Sequence, residues 1–181
     1  MDIWSKEKRS QVMARIKGRD TRPELIVRRY LYSRGYRFRK NVKGLPGTPD
    51  IVLRKYRVAV FVHGCFWHGH ETHLRIPSEN REFWQRKIER NRERDSRDKE
   101  RLIEMGWSVV TIWECQLKPA VRARTLAGLE YYLNYNYLRV ERRRRASSRL
   151  TPAALYPTDS DSSAPTVAAE GASLYSGPGN T

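Results

Sequence analysis

Residues 50–63 read Asp50-Ile51-Val52-Leu53-Arg54-Lys55-Tyr56-Arg57-Val58-Ala59-Val60-Phe61-Val62-His63, or DIVLRKYRVAVFVH. Two short apolar runs flank a polar break at Arg54 to Arg57, which predicts two paired strands joined by a turn. Leu45-Pro46-Gly47-Thr48-Pro49 is a turn that feeds the first run. Such a hairpin places Asp50 and His63 at the same end of adjacent strands.

Upstream, Asp20-Thr21-Arg22-Pro23-Glu24 is a helix-start signal, and Leu25, Ile26, Tyr30 and Leu31 recur at helical spacing until Gly35. This predicts a helix over residues 21–34, followed by a short alternating strand, Tyr36-Arg37-Phe38-Arg39. Downstream, Phe83-Trp84, Ile88, Leu102 and Ile103 mark the apolar positions of one or two charged helices between Pro77 and Gly106. Residues 107–113 read as a strand closed by Glu114-Cys115, with Trp107 and Trp113 in its core pattern. A last helix is expected over residues 121–138, then the basic run Glu141-Arg142-Arg143-Arg144-Arg145. Ser, Pro, Ala, Thr and Gly dominate the rest, a composition that predicts disorder. The fold class is α/β, a mixed sheet flanked by helices. No internal repeat is evident. Residues 1–140 form the domain, and 141–181 are the basic run with its tail.

The 181 residues carry a net charge of +16. Residues 146–181 hold one Arg against Asp159, Asp161 and Glu170, so the remainder carries 35 basic and 17 acidic side chains, a balance of +18. Such an excess points to a polyanion as partner, because neutralising phosphates releases counterions. Nucleic acid is favoured over a membrane, since no segment approaches the ~18 apolar residues that a span needs. The opening MDIWSKEKRS has no signal-peptide apolar stretch, and a cytoplasmic location is expected. In that setting Cys65 and Cys115 are free thiols or metal ligands rather than a disulfide.

All four histidines of the chain fall in residues 63–73, HGCFWHGHETH, beside Cys65. Three readings compete. The stretch is a merely polar loop; or Cys65, His70 and His73, with Cys115 from a later strand, form a closed tetrahedral zinc site; or Asp50, His63 and His68 carry catalysis. The last two are compatible. Thiolates suit zinc, an aspartate suits magnesium, and an imidazole exchanges protons near neutral pH.

Several motifs together resemble one family: Leu45-Pro46-Gly47-Thr48-Pro49-Asp50, Phe61-Val62-His63-Gly64-Cys65-Phe66-Trp67-His68-Gly69-His70, Glu82-Phe83-Trp84 and Trp113-Glu114-Cys115. With Arg9-Ser10, Met13 and residues 91–95, the chain is similar over residues 1–135 to the very short patch repair (Vsr) endonucleases. The resemblance implies a restriction-endonuclease-like fold. It also implies a single-strand nick 5′ to the T of a T:G mismatch, left where 5-methylcytosine has been deaminated.

By that resemblance Asp50 and the backbone carbonyl of Val62 bind catalytic magnesium. His68 acts at the scissile phosphate and His63 assists, while Glu24 and Asp95 orient the histidines or metal-bound waters. Phe66, Trp67 and Trp84 enter the duplex from the major groove and Met13 from the minor groove. Wedging apolar groups between base steps costs a few kcal/mol, less at a mispair. One departure concerns zinc: Thr72 stands where the family pattern has a cysteine, and the adjacent His73 is the replacement ligand, giving Cys65, His70, His73 and Cys115. Two other activities share these residues, a restriction-type nuclease on unmismatched DNA and a zinc-containing DNA-binding module without cleavage. A monomer suffices, because one nick needs one active site.

Overall fold

Helix α1, Arg22–Ser33, begins where Thr21 and Glu24 close a capping box: the Glu24 N–H donates to the Thr21 hydroxyl, and the Thr21 N–H donates to Glu24 Oε1 at 3.3 Å. The computed structural model describes residues 18–149. At the other end of α1, Gly35 adopts φ +83, its N–H bonds the Tyr32 carbonyl, and the Tyr36 N–H bonds the Leu31 carbonyl at 2.9 Å. This is a Schellman end. It corrects the expected strand over residues 36–39: the Tyr36 amide is committed to the helix, so β1 is only Arg39–Lys40, while the Tyr36 ring turns into the core.

The hairpin forms as expected, with β2 at Ile51–Leu53, a 3-10 turn at Arg54–Tyr56 and β3 at Val58–His63. A single helix α2, Arg81–Glu104, then carries the chain across to β4, Ser108–Trp113. A 3-10 turn at Glu114–Leu117 leads to helix α3, Pro119–Arg149. The sheet order is β1-β2-β3-β4, antiparallel through β3 and parallel between β3 and β4. Helix α2 is the crossover that a parallel pair requires.

The two central strands are apolar up to His63, the last residue of β3, because both sheet faces are covered. Ile51, Leu53, Val58, Val60 and Ile112 pack with Val27 and Leu31 of α1 and Leu126, Leu129 and Leu133 of α3. Val52 and Ala59 face the other way, toward Leu102 of α2 and Trp107. The period-two alternation thus builds two cores from one pair of strands. This four-stranded mixed sheet with three flanking helices is the restriction-endonuclease-like architecture implied by the sequence.

Helix α3 runs well past the expected end at residue 138. Apolar periodicity stops there, but no Gly or Pro interrupts the chain between Gly128 and Pro152. The intervening Arg, Glu and Ala are good helix formers, so propensity extends what packing began. Among the described residues no helix is long and apolar enough to cross a membrane.

Candidate active site

Antiparallel pairing of β2 with β3 sets Asp50 beside the end of β3, and its Oδ2 accepts from the Val62 N–H at 2.7 Å. Burial raises the Asp50 carboxyl to about 6 despite that bond, and the nearby Glu24 charge adds to the rise. His63 closes β3 and stacks on His68, ring centroids 3.8 Å apart and 10° from parallel. Burial first, then the neighbouring His68, lowers His63 to about 4, which leaves it neutral near pH 7.

His68 Nδ1 lies 2.5 Å from Asp95 Oδ2, and Arg94 donates to the other Asp95 oxygen at 3.0 Å. Burial acts to raise Asp95, but the His68 hydrogen bond and charge, with Arg94, hold the carboxyl below its ordinary value. An ionised Asp95 accepts from Nδ1–H and so fixes the His68 tautomer.

The loop that carries these rings is wound tightly. The His68 N–H bonds the Gly64 carbonyl at 3.2 Å, and the His70 N–H bonds the Cys65 carbonyl at 2.9 Å. Gly69 has φ +64, and a Cβ there would lie 2.7 Å from Ile88 Cγ2. Only glycine lets the loop lie this close to α2. From α2, Asn91 Nδ2 donates to the Trp67 carbonyl at 2.8 Å and fastens the loop from above.

Cys65, His70, His73 and Cys115 converge, each offering a ligand atom within 4.8 Å of the others. Cys115 Sγ is 3.6 Å and His73 Nδ1 is 3.2 Å from His70 Nδ1. Zn–S near 2.3 Å and Zn–N near 2.0–2.1 Å give tetrahedral edges of about 3.3–3.8 Å, so the donor set and its spacing fit zinc. Burial, then the adjacent Cys65 thiol, pushes the Cys115 thiol up. A divalent cation between two crowded thiols reverses that logic. Asp50 is a hard oxygen donor of the kind magnesium takes.

Phe66, Trp67 and Trp84 form one aromatic group, with centroids 5.2 Å apart for Phe66 with either tryptophan and 6.0 Å between the tryptophans. The Lys87 ammonium lies 5.5 Å from both indole centroids, placing a cation among the rings. Met13 falls outside the described residues.

Glu24, Asp50, His63, His68 and Asp95 all line one cleft of 1290 Å³. Their environments differ. Asp95 is the carboxylate on a histidine, whereas the Glu24 carboxylate serves the α1 cap and accepts from Arg28 Nη2 at 2.7 Å. Arg28 was not singled out by the sequence, although its spacing of four from Glu24 puts both on one helix face. Trp113 is also reassigned. Trp107 is buried as expected, but Trp113 is half-buried, stacks on His70 at 4.2 Å and meets the His63 ring edge-on at 5.5 Å. Its register partner is His63, so it forms the wall between the two histidine groups.

A family model described as DNA mismatch endonuclease Vsr matches residues 1–74. The chain is 48% identical over 118 residues to the type II nicking enzyme V.NmeAIP of Neisseria meningitidis, a match covering 65% of this chain and 84% of that relative. The chain belongs to the Vsr DNA mismatch endonuclease family. It is 45% identical over 118 residues to the DNA mismatch endonuclease Vsr of Escherichia coli K12, covering 65% of this chain and 76% of that one. A further relative, the type II nicking enzyme V.XorIIP of Xanthomonas oryzae, is 47% identical over 117 residues, with 64% of this chain and 86% of that one covered.

Proposed function

We propose that this chain nicks one strand of duplex DNA on the 5′ side of the T in a T:G mismatch left by deamination of 5-methylcytosine. DNA nicking endonuclease activity follows from family membership; the mismatch specificity, the metals and the residue roles are our reading. The observation that carries it is that one loop, residues 63–73, presents the stacked His63 and His68 pair and the Phe66 and Trp67 rings side by side. A mispair that the rings pry open would then lie next to the groups that cut.

Asp50 and the Val62 carbonyl would hold magnesium, which when bound offsets negative charge on the phosphate oxygens. Asp95 keeps Nδ1 of His68 protonated, leaving Nε2 as the nitrogen that takes the proton of an attacking water. A neutral His63 stacked on His68 limits its rotation and adds a donor near the phosphate. Cys65, His70, His73 and Cys115 would hold a structural zinc that pins the loop, with no open position for chemistry. Phe66, Trp67 and Trp84, with Met13, would wedge into the duplex, and the lower cost of unstacking a mispair gives the preference.

The test is incubation with magnesium and strand-labelled duplexes, one carrying T:G in a cytosine-methylation site and one its T:A control. A single cut beside the mismatched T, absent from the control and from Asp50→Ala, is the expected result. Equal cutting of both duplexes would replace this reading with a restriction-type one, and binding without cutting would replace it with an inactive module.

A further inference from the structure

Helix α3 leads away from the cleft. It starts after the turn that carries Cys115, and further along it packs on the 3-10 turn Arg54–Tyr56, at the end of the hairpin opposite to Asp50 and His63. There the Tyr137 ring lies 5.8 Å from Tyr56, the Lys55 ammonium sits 4.8 Å over Tyr137, and the Ser108 hydroxyl donates to Asn136 at 3.1 Å. From Tyr137 the helix continues to Arg149, a further ~18 Å at ~1.5 Å per residue.

That extension is strongly basic. Arg139, Arg142, Arg143, Arg144 and Arg145 are exposed, and the acidic residue among them, Glu141, lies 3.5 Å from Arg144 Nη1. The hairpin turn adds exposed Arg54 and Lys55 beside the same stretch of helix. Two elements distant in sequence therefore build one cationic pole. Its helical part, residues 139–145, lies beyond the region of family resemblance, which ends at residue 135, and nothing in the cleft chemistry uses the pole.

We propose that this pole is a second binding surface for duplex DNA, taking the phosphates of a segment other than the one in the cleft. Exposed guanidinium groups match phosphate in charge and in hydrogen-bonding geometry. The two surfaces are separated by the length of β3, about 20 Å, plus the projecting helix. DNA is stiff over such distances, with a persistence length of about 150 base pairs, so a duplex that crosses the cleft transverse to β3 does not fold back onto the far pole. The occupant is a distant segment of the same DNA or another duplex. An anionic membrane is the poorer match, because exposed apolar side chains of α3, Tyr131, Tyr135 and Leu138, precede the arginine run, and Val140 is the one large apolar side chain among residues 139–148.

The test uses the full chain and the variant Arg142→Gln/Arg143→Gln/Arg144→Gln/Arg145→Gln, in which glutamine keeps helix propensity and no core contact is touched. Affinity for an unmismatched duplex is measured across a salt series. Each phosphate contact contributes about 0.9 to the slope of log K against log salt, so the variant slope should be shallower by about 2–4 and its low-salt affinity at least ~10-fold weaker. Single-turnover nicking of a short mismatched duplex at saturating protein, and the melting temperature, should be unchanged. With magnesium omitted and the cleft preloaded with that short duplex, a second, differently labelled duplex should bind the parent chain and not the variant. A separate Arg54→Gln/Lys55→Gln variant, with the helix intact, should lower the slope by about 1–2. Unchanged slopes in both variants overturn the proposal. So does a loss of nicking in parallel with binding, which would assign the arginines to the duplex in the cleft. Displacement of the second duplex by polyglutamate at lower charge concentration than by DNA would assign the pole to an acidic protein instead.

Discussion

Arg28 Nη2 lies 3.2 Å from the backbone carbonyl oxygen of Asp50 while donating to the Glu24 carboxylate at 2.7 Å. The guanidinium also pairs with Asp20 and reaches Asn41 Oδ1 at 3.5 Å, so one buried side chain ties the start of α1 to the start of β2. Lysine cannot reproduce that fork. Arg28→Lys is expected to lower the nicking rate at least ~10-fold and to raise the magnesium concentration for half-maximal rate. Arg28→Met should in addition lose about 3–5 kcal/mol of stability, as a buried carboxylate is left unpaired. Metal titrations of the nicking rate, with denaturant melts of both variants, check this. A normal magnesium requirement in folded Arg28→Lys would confine Arg28 to a structural role.

The His68 and Asp95 pair predicts a different pattern. Asp95→Asn keeps the shape but no longer accepts strongly from Nδ1–H, so the tautomer that leaves Nε2 free is lost. Nicking under single-turnover conditions should fall by about 10²–10⁴-fold. Affinity for a mismatched duplex should stay within a few-fold, because Asp95 is apart from the aromatic group. A fall in affinity that accounted for the whole loss would remove Asp95 from the chemistry.

His73 decides the composition of the Cys65, His70 and Cys115 group. The purified chain is expected to carry one zinc per molecule by elemental mass spectrometry, His73→Cys to retain it, and His73→Ala to lose it on dialysis against a chelator. The Ala variant should melt at lower temperature and nick more slowly, since the same loop carries His63 and His68. Thr72→Cys in the His73→Ala background restores a thiolate one residue earlier and should recover part of the metal. Full zinc retention by His73→Ala would show that the imidazole is not a ligand.

These residues also mark how far the sequence could be read. The hairpin was legible because two apolar runs with a polar break admit few alternatives, and it put Asp50 and His63 at the same end of adjacent strands. The convergence of Cys65, His70 and His73 was legible from local spacing, and that of Cys115 from its place at the end of a later strand. Arg28 was not, since an arginine in an amphipathic helix ordinarily faces water, and only the fold brings Asp20, Glu24 and the Asp50 carbonyl to it. Trp113 was misread because alternation along a strand gives the face but not what lies beyond the strand end. The length of α3 was underestimated because apolar periodicity stops where packing stops, whereas helix propensity does not.

Far from the cleft, Glu130 of α3 accepts from the Tyr30 hydroxyl at 2.6 Å and from Arg34 Nε at 3.0 Å, joining α3 to α1. The Tyr30 hydrogen bond, then that from Arg34, holds the Glu130 carboxyl below the ordinary glutamate value. A carboxyl with a depressed folded pKa stabilises the protein above the unfolded pKa, and that contribution is lost as pH falls through the folded value. Glu130→Gln should therefore melt below the parent at pH 7, by about 1 kcal/mol after allowance for solvent screening, or roughly 2–4 °C. The gap should begin to close near pH 4.5 and vanish once the parent carboxylate is protonated. Thermal melts of both chains between pH 7 and acid conditions measure this directly; a gap that stays constant with pH would mean that packing, not the charge on Glu130, links the two helices.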